Sequence, residues 1–98
     1  MEFSPDLRNE VIAGGITLTV RLWQRPRARP GGLYAVGQAQ IEVDSMELVP
    51  FSAISAADVR RSGESDREAL RRRTAHAGPV DDGTLVYRIE FHLVGPAS

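Results

Sequence analysis

The sequence contains no cysteine and no lysine, and each absence narrows what the protein can do. Without cysteine, disulfides, thiolate metal sites and a cysteine nucleophile are all excluded. Without lysine, all twelve basic residues are arginines. A GC-rich codon bias explains this composition. Nucleic-acid binding explains it too. A guanidinium group can form two parallel hydrogen bonds with a phosphate and can stack on a base, and it does both better than an ammonium group does. The two explanations are compatible.

Long apolar runs are also missing, since none approaches the roughly 20 residues that a membrane-spanning helix needs. The segment from Met1 to Pro5 carries an acidic residue and lacks the pattern of a secretory signal. Over 98 residues, 42% are apolar and 26% are charged, which is typical of a soluble globular domain. We therefore expect a single domain over residues 1–98, located in the cytoplasm.

A strictly alternating segment, Ile16 to Trp23 (ITLTVRLW), predicts a half-buried β-strand. Its apolar residues face one way, and the opposite row is free to line a groove: Thr17, Thr19, Arg21 and Trp23. The next nine residues, 24–32 (QRPRARPGG), contain two prolines and two glycines. Because these residues interrupt both helices and strands, the segment is expected to be a loop.

The rest of the chain carries alternating helix and strand signals. The predicted helices are Pro5–Ala13, Ala56–Ser62 and Asp66–His76, and the other predicted strands are Leu33–Val36, Gln38–Val49 and Thr84–Val94. Long strands at both ends with helices between them predict an α+β fold. We expect a closed or nearly closed small β-barrel with surrounding helices.

Two helix starts and one side-chain direction can also be predicted. Ser55 with Asp58, and Ser65 with Glu68, are spaced as capping boxes at the starts of the second and third helices. Along the strand Gln38–Val49, strict alternation places Met46 on the face opposite to the apolar residues before it.

The motifs of the chain also occur in a recognisable order. A pattern G-x-x-T-x-T-x-R-x-W-x-R-P, followed by x-x-G-G-x-Y, is present at Gly14, Thr17, Thr19, Arg21, Trp23, Arg25, Pro26, Gly31, Gly32 and Tyr34. It is followed by Ile41–Val43, by an I-x-x-A-D-x-R-R-x-G segment from Ile54 to Gly63, and by the strand segment Leu85–Phe91. In these positions the sequence resembles small stand-alone bacterial ASCH domains, which belong to the PUA-like superfamily. The resemblance covers roughly residues 7–95.

This resemblance implies a small β-barrel with helices packed around it and a cleft in which the family is proposed to bind RNA. Some small members are amidohydrolases that deacetylate acetylated cytidine, and others have been linked to ribonuclease activity. The amidohydrolases use a Lys, a Thr and a Glu. Their K-T-I-T-I-R strand aligns the Thr with Thr19 and the Lys with Ile16, while the Glu aligns with about Ala69, beside Glu68. Since a Thr hydroxyl needs an adjacent base to become nucleophilic, Ile16 weakens the catalytic interpretation.

Four arginines lie within nine residues and have no acidic residue among them: Arg21, Arg25, Arg27 and Arg29. Trp23 lies in the same segment. Arginines neutralise phosphates, and a tryptophan face can stack an unpaired base. This combination suits single-stranded or looped RNA, even though the formal net charge of the chain is −1.

Each of these residues also has a purely structural interpretation. Arg21 could form a salt bridge to Glu42 or Glu90, Trp23 could pack in the core, and the loop arginines could simply be solvated. The runs Arg60–Arg61 and Arg71–Arg73 are typical of the last turn of a helix, where positive charge interacts favourably with the helix dipole. The second run could also form another rim of the cleft. The two histidines have no partners spaced for a metal site, although either could serve a ribonuclease as an acid or base.

The sequence therefore predicts an RNA-binding ASCH-like module with an Arg- and Thr-lined cleft. Its predicted nucleic-acid-binding residues are Thr19, Arg21, Trp23, Arg25, Arg27 and Arg29. No catalytic residue, cofactor or metal is predicted. The alternative is an enzyme that processes nucleic acids or nucleosides, either an acetylated-cytidine amidohydrolase or a ribonuclease. A third possibility is a domain that binds a small molecule, such as a nucleoside, or another protein.

Overall fold

The computed structural model describes residues 1–96. In chain order its helices and strands are α1 (Pro5–Ile12), β1 (Leu18–Arg21), β2 (Leu33–Val36), β3 (Ala39–Pro50), α2 (Ala56–Arg61), α3 (Arg67–Thr74) and β4 (Leu85–Pro96). Single 3₁₀ turns at Phe51–Ala53 and Ala75–Ala77 follow β3 and α3. These elements confirm the α+β class. Over the described range, no helix has the length and apolarity to cross a membrane.

The four strands form one antiparallel sheet in the order β1-β4-β3-β2. The long strands β3 and β4 lie in the centre, and β1 and β2 are the edges. No ladder joins these two edges within residues 1–96, so the sheet is open and the expected barrel is not closed by hydrogen bonds. Side chains fill this position instead, because Val11 of α1 is buried in one cluster with Ile16 and Val36.

Both faces of the sheet carry buried side chains. On one face, the helices α2 and α3 cover a cluster of Leu18, Val20, Phe51, Ile54, Val59, Leu70 and Val86. On the other face, Val43 and Ile89 pack under Ala28, which belongs to the loop after β1. The loop predicted at residues 24–32 therefore covers part of the sheet rather than extending away from it.

A β-bulge in β3 overturns the side-chain direction predicted for Met46. The register shifts between Val43 and Ser45, so that Val43 pairs with Phe91 and Met46 pairs with Ile89. Residues paired across an antiparallel ladder share a face, and so do residues two apart on one strand. Met46 consequently lies on the same face as Val43. The extra residue of the bulge is the cause, and strict alternation cannot reveal it.

The helix starts agree with the sequence in one case and differ by one residue in the other. Ser55 and Asp58 form the predicted capping box, in which each side chain accepts a hydrogen bond from the other's backbone N–H, at 3.0 and 3.1 Å. At α3 the N-cap is Asp66 rather than Ser65, and its Oδ1 accepts from the backbone N–H of Ala69 at 2.8 Å. Aspartate caps as well as serine does, so neighbouring candidates cannot be ranked by residue type.

The carboxylate of Asp58 also ties α2 to the sheet. It accepts hydrogen bonds from Nε and Nη2 of Arg88 on β4, at 3.0 and 2.8 Å. Only 9% of the Asp58 side chain and 18% of the Arg88 side chain are exposed. The Arg88 guanidinium lowers the pKa of Asp58 to about 2. Arg88 further contacts Glu90 at 2.7 Å, and Glu90 also pairs with Arg61 at 3.1 Å.

Candidate nucleic-acid interface

A cavity of about 260 Å³ opens at β1, beside the free edge of the sheet. Its lining comes from residues 2–4 and 7, from residues 19–23, and from residues 73, 74, 76 and 77 at the end of α3. We call it the Arg21 cavity. It is smaller than the pockets that hold drug-sized ligands, so it suits a group the size of a phosphate or a single base. Three predicted site residues line it: Thr19, Arg21 and Trp23.

The guanidinium of Arg21 is bound by neutral oxygen atoms. Its Nε donates to Oγ1 of Thr19 at 2.9 Å, and its Nη2 donates to the backbone carbonyl of Glu2 at 2.6 Å. Its Cζ lies 4.9 Å from the centre of the Phe3 ring. Burial lowers the pKa of Arg21, and the nearby Glu2 carboxylate partly opposes this change. Arginine nonetheless keeps its charge, so the cavity contains a partly desolvated cation.

Neither salt bridge considered for Arg21 from the sequence is present among the described residues. Glu90 is engaged by Arg61 and Arg88, and Glu42 forms no ion pair with Arg21 in residues 1–96. The Glu2 carboxylate is close enough to act on the charge of Arg21 but forms no ion pair with it in residues 1–96. A desolvated cation that lacks a directly bonded carboxylate is costly. The same site would stabilise an anion that entered the cavity.

Thr19 is buried, with 8% of its surface exposed. Its hydroxyl oxygen accepts the hydrogen bond from Arg21, which leaves the hydroxyl hydrogen available to an acceptor in the cavity. The Thr19–Arg21 pair thus presents two kinds of donor to a ligand. Phosphate oxygens and base carbonyls are the acceptors that such donors fit.

Trp23 packs as its structural interpretation expected, and part of its side chain also lines the cavity. It packs against the cluster around Ile89, and its ring lies 5.9 Å from that of Tyr87 at an angle of 44°. It also lines the Arg21 cavity and is only partly buried. One side of the tryptophan is therefore structural, and the remainder is open to a ligand.

The other three predicted arginines project from the arginine loop, which we define as residues 24–32. Arg25, Arg27 and Arg29 are exposed and do not line the Arg21 cavity. In the described part of the chain, none of them forms an ion pair with a carboxylate. They follow the cavity residues directly along the chain, whereas only Thr19, Arg21 and Trp23 of the six predicted residues line the cavity itself.

The arginine loop is fixed to the sheet at its far end. The N–H of Gly31 donates to the carbonyl of Val43 at 2.7 Å, and the N–H of Val43 donates to the carbonyl of Gly32 at 3.0 Å. The N–H of Arg29 donates to the Tyr34 hydroxyl at 3.0 Å. Between these anchors and Trp23, Ala28 is buried against the sheet. The backbone of the loop is thus packed, while its arginine side chains face solvent.

Sequence reasoning missed the segment before α1 and anticipated the end of α3 only in part. Glu2 and Phe3 have no periodic pattern around them that would assign them to the site. The run Arg71–Arg73 was considered as a second rim, and Arg73 does line the cavity. Arg73 is held by Asp6 at 2.8 Å and by Glu64. Arg71 points elsewhere and pairs with Asp82 at 2.6 Å.

The residues expected of a deacetylase do not come together. Ile16 is 2% exposed and packs in the cluster with Phe3 and Phe91, and it does not line the cavity. Glu68 is on the exposed side of α3, where it pairs with Arg71 at 3.4 Å. Thr19 thus meets a cation rather than a base. Such an arrangement is suited to holding an anion, not to removing the proton of the hydroxyl.

The two histidines are separated. His76 lines the Arg21 cavity at its outer side and is exposed. His92 lies on β4, with its Nδ1 2.8 Å from the carboxylate of Asp44, and it is not among the cavity residues. They therefore do not form the acid and base pair that a metal-independent ribonuclease would need.

Comparison with known proteins gives no match to a family model and no match to a curated protein. Two solved structures are similar in fold. The ASCH domain from Lactobacillus crispatus JV V101 aligns with a TM-score of 0.74 at 18% identity, over 92% of this chain and 71% of that one. Protein EF3133 from Enterococcus faecalis V583, of the DUF984 family, aligns with a TM-score of 0.71 at 17% identity, over 95% of this chain and 72% of that one. The likeness confirms an ASCH-like α+β fold, although the four-stranded sheet of residues 1–96 is not the closed barrel that the resemblance implied.

Proposed function

We propose that this chain, which folds as an ASCH domain, is an RNA-binding module that acts as one domain over residues 1–98. The observation that carries the proposal is the partly buried guanidinium of Arg21, which is hydrogen-bonded to a hydroxyl and a carbonyl but to no carboxylate of residues 1–96. An RNA phosphate in the Arg21 cavity would supply the anionic hydrogen-bond acceptor that Arg21 lacks. Thr19 would donate to the same ligand, and Trp23 would stack on a base.

The distribution of ion pairs supports this choice despite the net charge of −1. Arg61, Arg71, Arg73 and Arg88 are neutralised by carboxylates within the fold. The four predicted RNA-binding arginines have no such partners among the described residues, and they lie within nine residues of the chain. Arg8, Arg60, Arg67 and Arg72 are also without an ion pair there, but they are spread over the helices and have no such clustering. Arg25, Arg27 and Arg29 would contact the RNA backbone next to the cavity. Their phosphate contacts would add affinity without sequence preference.

The first test is the substitution Arg21→Ala, followed by fluorescence anisotropy with a labelled single-stranded RNA over a series of salt concentrations. We expect roughly tenfold weaker binding, because one charge-assisted contact is lost. The slope of log affinity against log salt should fall by about 0.7, the value for one phosphate contact on a single strand. The control is Arg60→Ala, which removes an exposed arginine of α2 and should leave both quantities unchanged.

The second test removes the three loop arginines together, as Arg25→Ala, Arg27→Ala and Arg29→Ala. These side chains are exposed, so the variant should fold like the parent protein. Three lost phosphate contacts should lower the salt slope by about 2. Binding at parental strength by both this variant and Arg21→Ala would contradict the proposal.

The competing proposal is an enzyme that deacetylates acetylated cytidine or cleaves RNA. It is examined by incubating the protein with acetylated cytidine and with structured RNA, and by separating the products chromatographically. We expect both substrates to be recovered intact, since Thr19 has Arg21 as its hydrogen-bond partner rather than a base. Release of cytidine that is abolished by Thr19→Val would instead establish the enzyme.

A further inference from the structure

Beside the Arg21 cavity, one face of the sheet carries an exposed group of large apolar side chains. We call it the apolar shelf, and its members are Trp23, Leu48, Leu85 and Tyr87. Leu48 and Leu85 are 52% and 54% exposed, while the two aromatic residues are partly buried. Large apolar side chains that remain in water next to each other commonly mark a binding surface.

The strand register explains why these residues meet. Leu48 of β3 pairs with Tyr87 of β4, so the two side chains are neighbours on one face. Leu85 is two residues from Tyr87 on the same strand and shares that face. The Trp23 ring then packs on Tyr87 with a centroid separation of 5.9 Å. The shelf is therefore a continuous surface that has an aromatic pair at one side.

The apolar shelf is contiguous with the Arg21 cavity and with the arginine loop. Trp23 belongs to the shelf and also lines the cavity. Arg21 pairs with Tyr87 across the ladder between β1 and β4. Arg25 follows Trp23 by two residues, so its Cα lies within about 7 Å of the tryptophan Cα. An elongated ligand could therefore contact the cation of the cavity, the shelf and the loop arginines together.

We propose that the apolar shelf is a second base-stacking subsite, through which the chain holds two successive unpaired nucleotides of one RNA strand. One nucleotide would occupy the Arg21 cavity and the next would lie on Tyr87, Leu48 and Leu85. This inference rests on the proposed RNA-binding function. The charges favour this occupant, because an apolar protein partner would have to desolvate the unpaired guanidinium groups beside the shelf. A single strand places bases on the shelf and phosphates on the arginines.

The experiment compares two ligands on the intact chain, a labelled ten-nucleotide RNA without secondary structure and adenosine 5′-monophosphate. Tyr87→Leu removes the stacking ring but keeps apolar packing against Trp23, and Leu48→Ser changes a side chain that is half exposed. Tyr87→Leu should weaken binding of the ten-nucleotide RNA by about 5- to 150-fold, the range for one stacked base. Leu48→Ser should weaken it several-fold. Binding of the monophosphate should change less than twofold in either variant.

Trp23 is the only tryptophan of the chain, so its fluorescence reports occupancy of the site directly. The ten-nucleotide RNA should quench it in the parent protein. The matched control is Val94→Ser, at the other end of β4 and roughly 30 Å from Leu85 at 3.3 Å per residue. Val94 is 49% exposed, and its replacement should not affect either ligand.

The possible results separate the two proposals. Parental affinity of Tyr87→Leu and Leu48→Ser for the ten-nucleotide RNA, together with a loss in Arg21→Ala, overturns the apolar shelf and leaves RNA binding intact. Absence of binding of both ligands to the parent protein overturns RNA binding, and the shelf with it. If Tyr87→Leu does not fold, the half-exposed Leu48→Ser decides the question.

Discussion

The ion pair between Asp58 and Arg88 is expected to be a major contributor to stability, and its removal can be predicted quantitatively. We choose the substitution Asp58→Asn, which removes the charge and retains the size of the side chain. In the folded protein the Asp58 carboxylate accepts two hydrogen bonds from Arg88 and one from the backbone N–H of Ser55. All of these bonds favour the ionised form over the protonated one.

The magnitude follows from the pKa of Asp58. The folded protein lowers this pKa from 3.8 to about 2, which corresponds to about 2 kcal/mol of stability at neutral pH. Because the pKa is lower in the folded state than in the unfolded state, this stabilisation is fully present above about pH 4. It is lost as the pH falls towards 2. Asp58→Asn should therefore lower the free energy of unfolding by about 2 kcal/mol at pH 7, and by far less at pH 2.

The assay is urea denaturation followed by circular dichroism, at pH 7, 5, 3 and 2. A separate thermal scan at pH 7 provides a second readout. A loss of about 2 kcal/mol should lower the melting temperature of a domain of this size by roughly 8–16 °C. The control is Asp82→Asn, which removes an exposed partner of Arg71 and should have little effect. The reasoning is refuted if Asp58→Asn is as stable as the parent protein at pH 7, or if the difference between them is the same at every pH.

Two further substitutions test the packing around Ile16. Gly63 has φ +86°, and an added Cβ would lie 2.6 Å from Cδ1 of Ile16. By urea denaturation, Gly63→Ala should destabilise the fold by about 1 kcal/mol more than Gly14→Ala, which shares the positive φ but has open space around it. Equal losses would exclude the steric effect. Ile16→Lys should cost about 3–5 kcal/mol by burying a charge, and in the chromatographic assay it should release no acetate from acetylated cytidine. An Ile16→Lys variant as stable as the parent protein would contradict the burial of a charge, and one that releases acetate would contradict the absence of deacetylation.

Much of the secondary structure could be predicted from the sequence because the residues that determine it are close to one another along the chain. The strand Leu33–Val36 was predicted with its observed bounds, and the capping box of Ser55 and Asp58 is present as predicted. The direction of Met46 was wrong because a bulge adds one residue to β3. The open edges of the sheet were not predicted either. They accompany the packing of Val11 of α1 against Ile16, which precedes β1, and against Val36 of β2, and these tertiary contacts are not encoded in alternation.

The candidate site was readable only where it coincides with a strand and the loop after it. Alternation placed Thr19, Arg21 and Trp23 on one face together with Thr17, and the family resemblance favoured Thr19 over Thr17. All three favoured residues line the cavity. Glu2 and Phe3 were missed because their position over Arg21 is fixed by distant contacts, including the Phe3 ring 5.6 Å from that of Phe91. The partners of Arg21 were likewise set by the surroundings. Glu90 had two other arginines within reach, and sequence alone could not rank them.

The attachment of the arginine loop has a thermodynamic consequence. The backbone bonds of Gly31 and Gly32 to Val43 hold one end, and the packing of Trp23 holds the other. Fixing a free backbone residue costs about 1–2 kcal/mol of conformational entropy, and here that cost has been met during folding. A ligand that contacts Arg25, Arg27 and Arg29 has only their side chains to immobilise, at about 0.5–1.5 kcal/mol each. If the proposed binding holds, such a loop would select ligands whose charges match a spacing already set, and it would not need to fold around them.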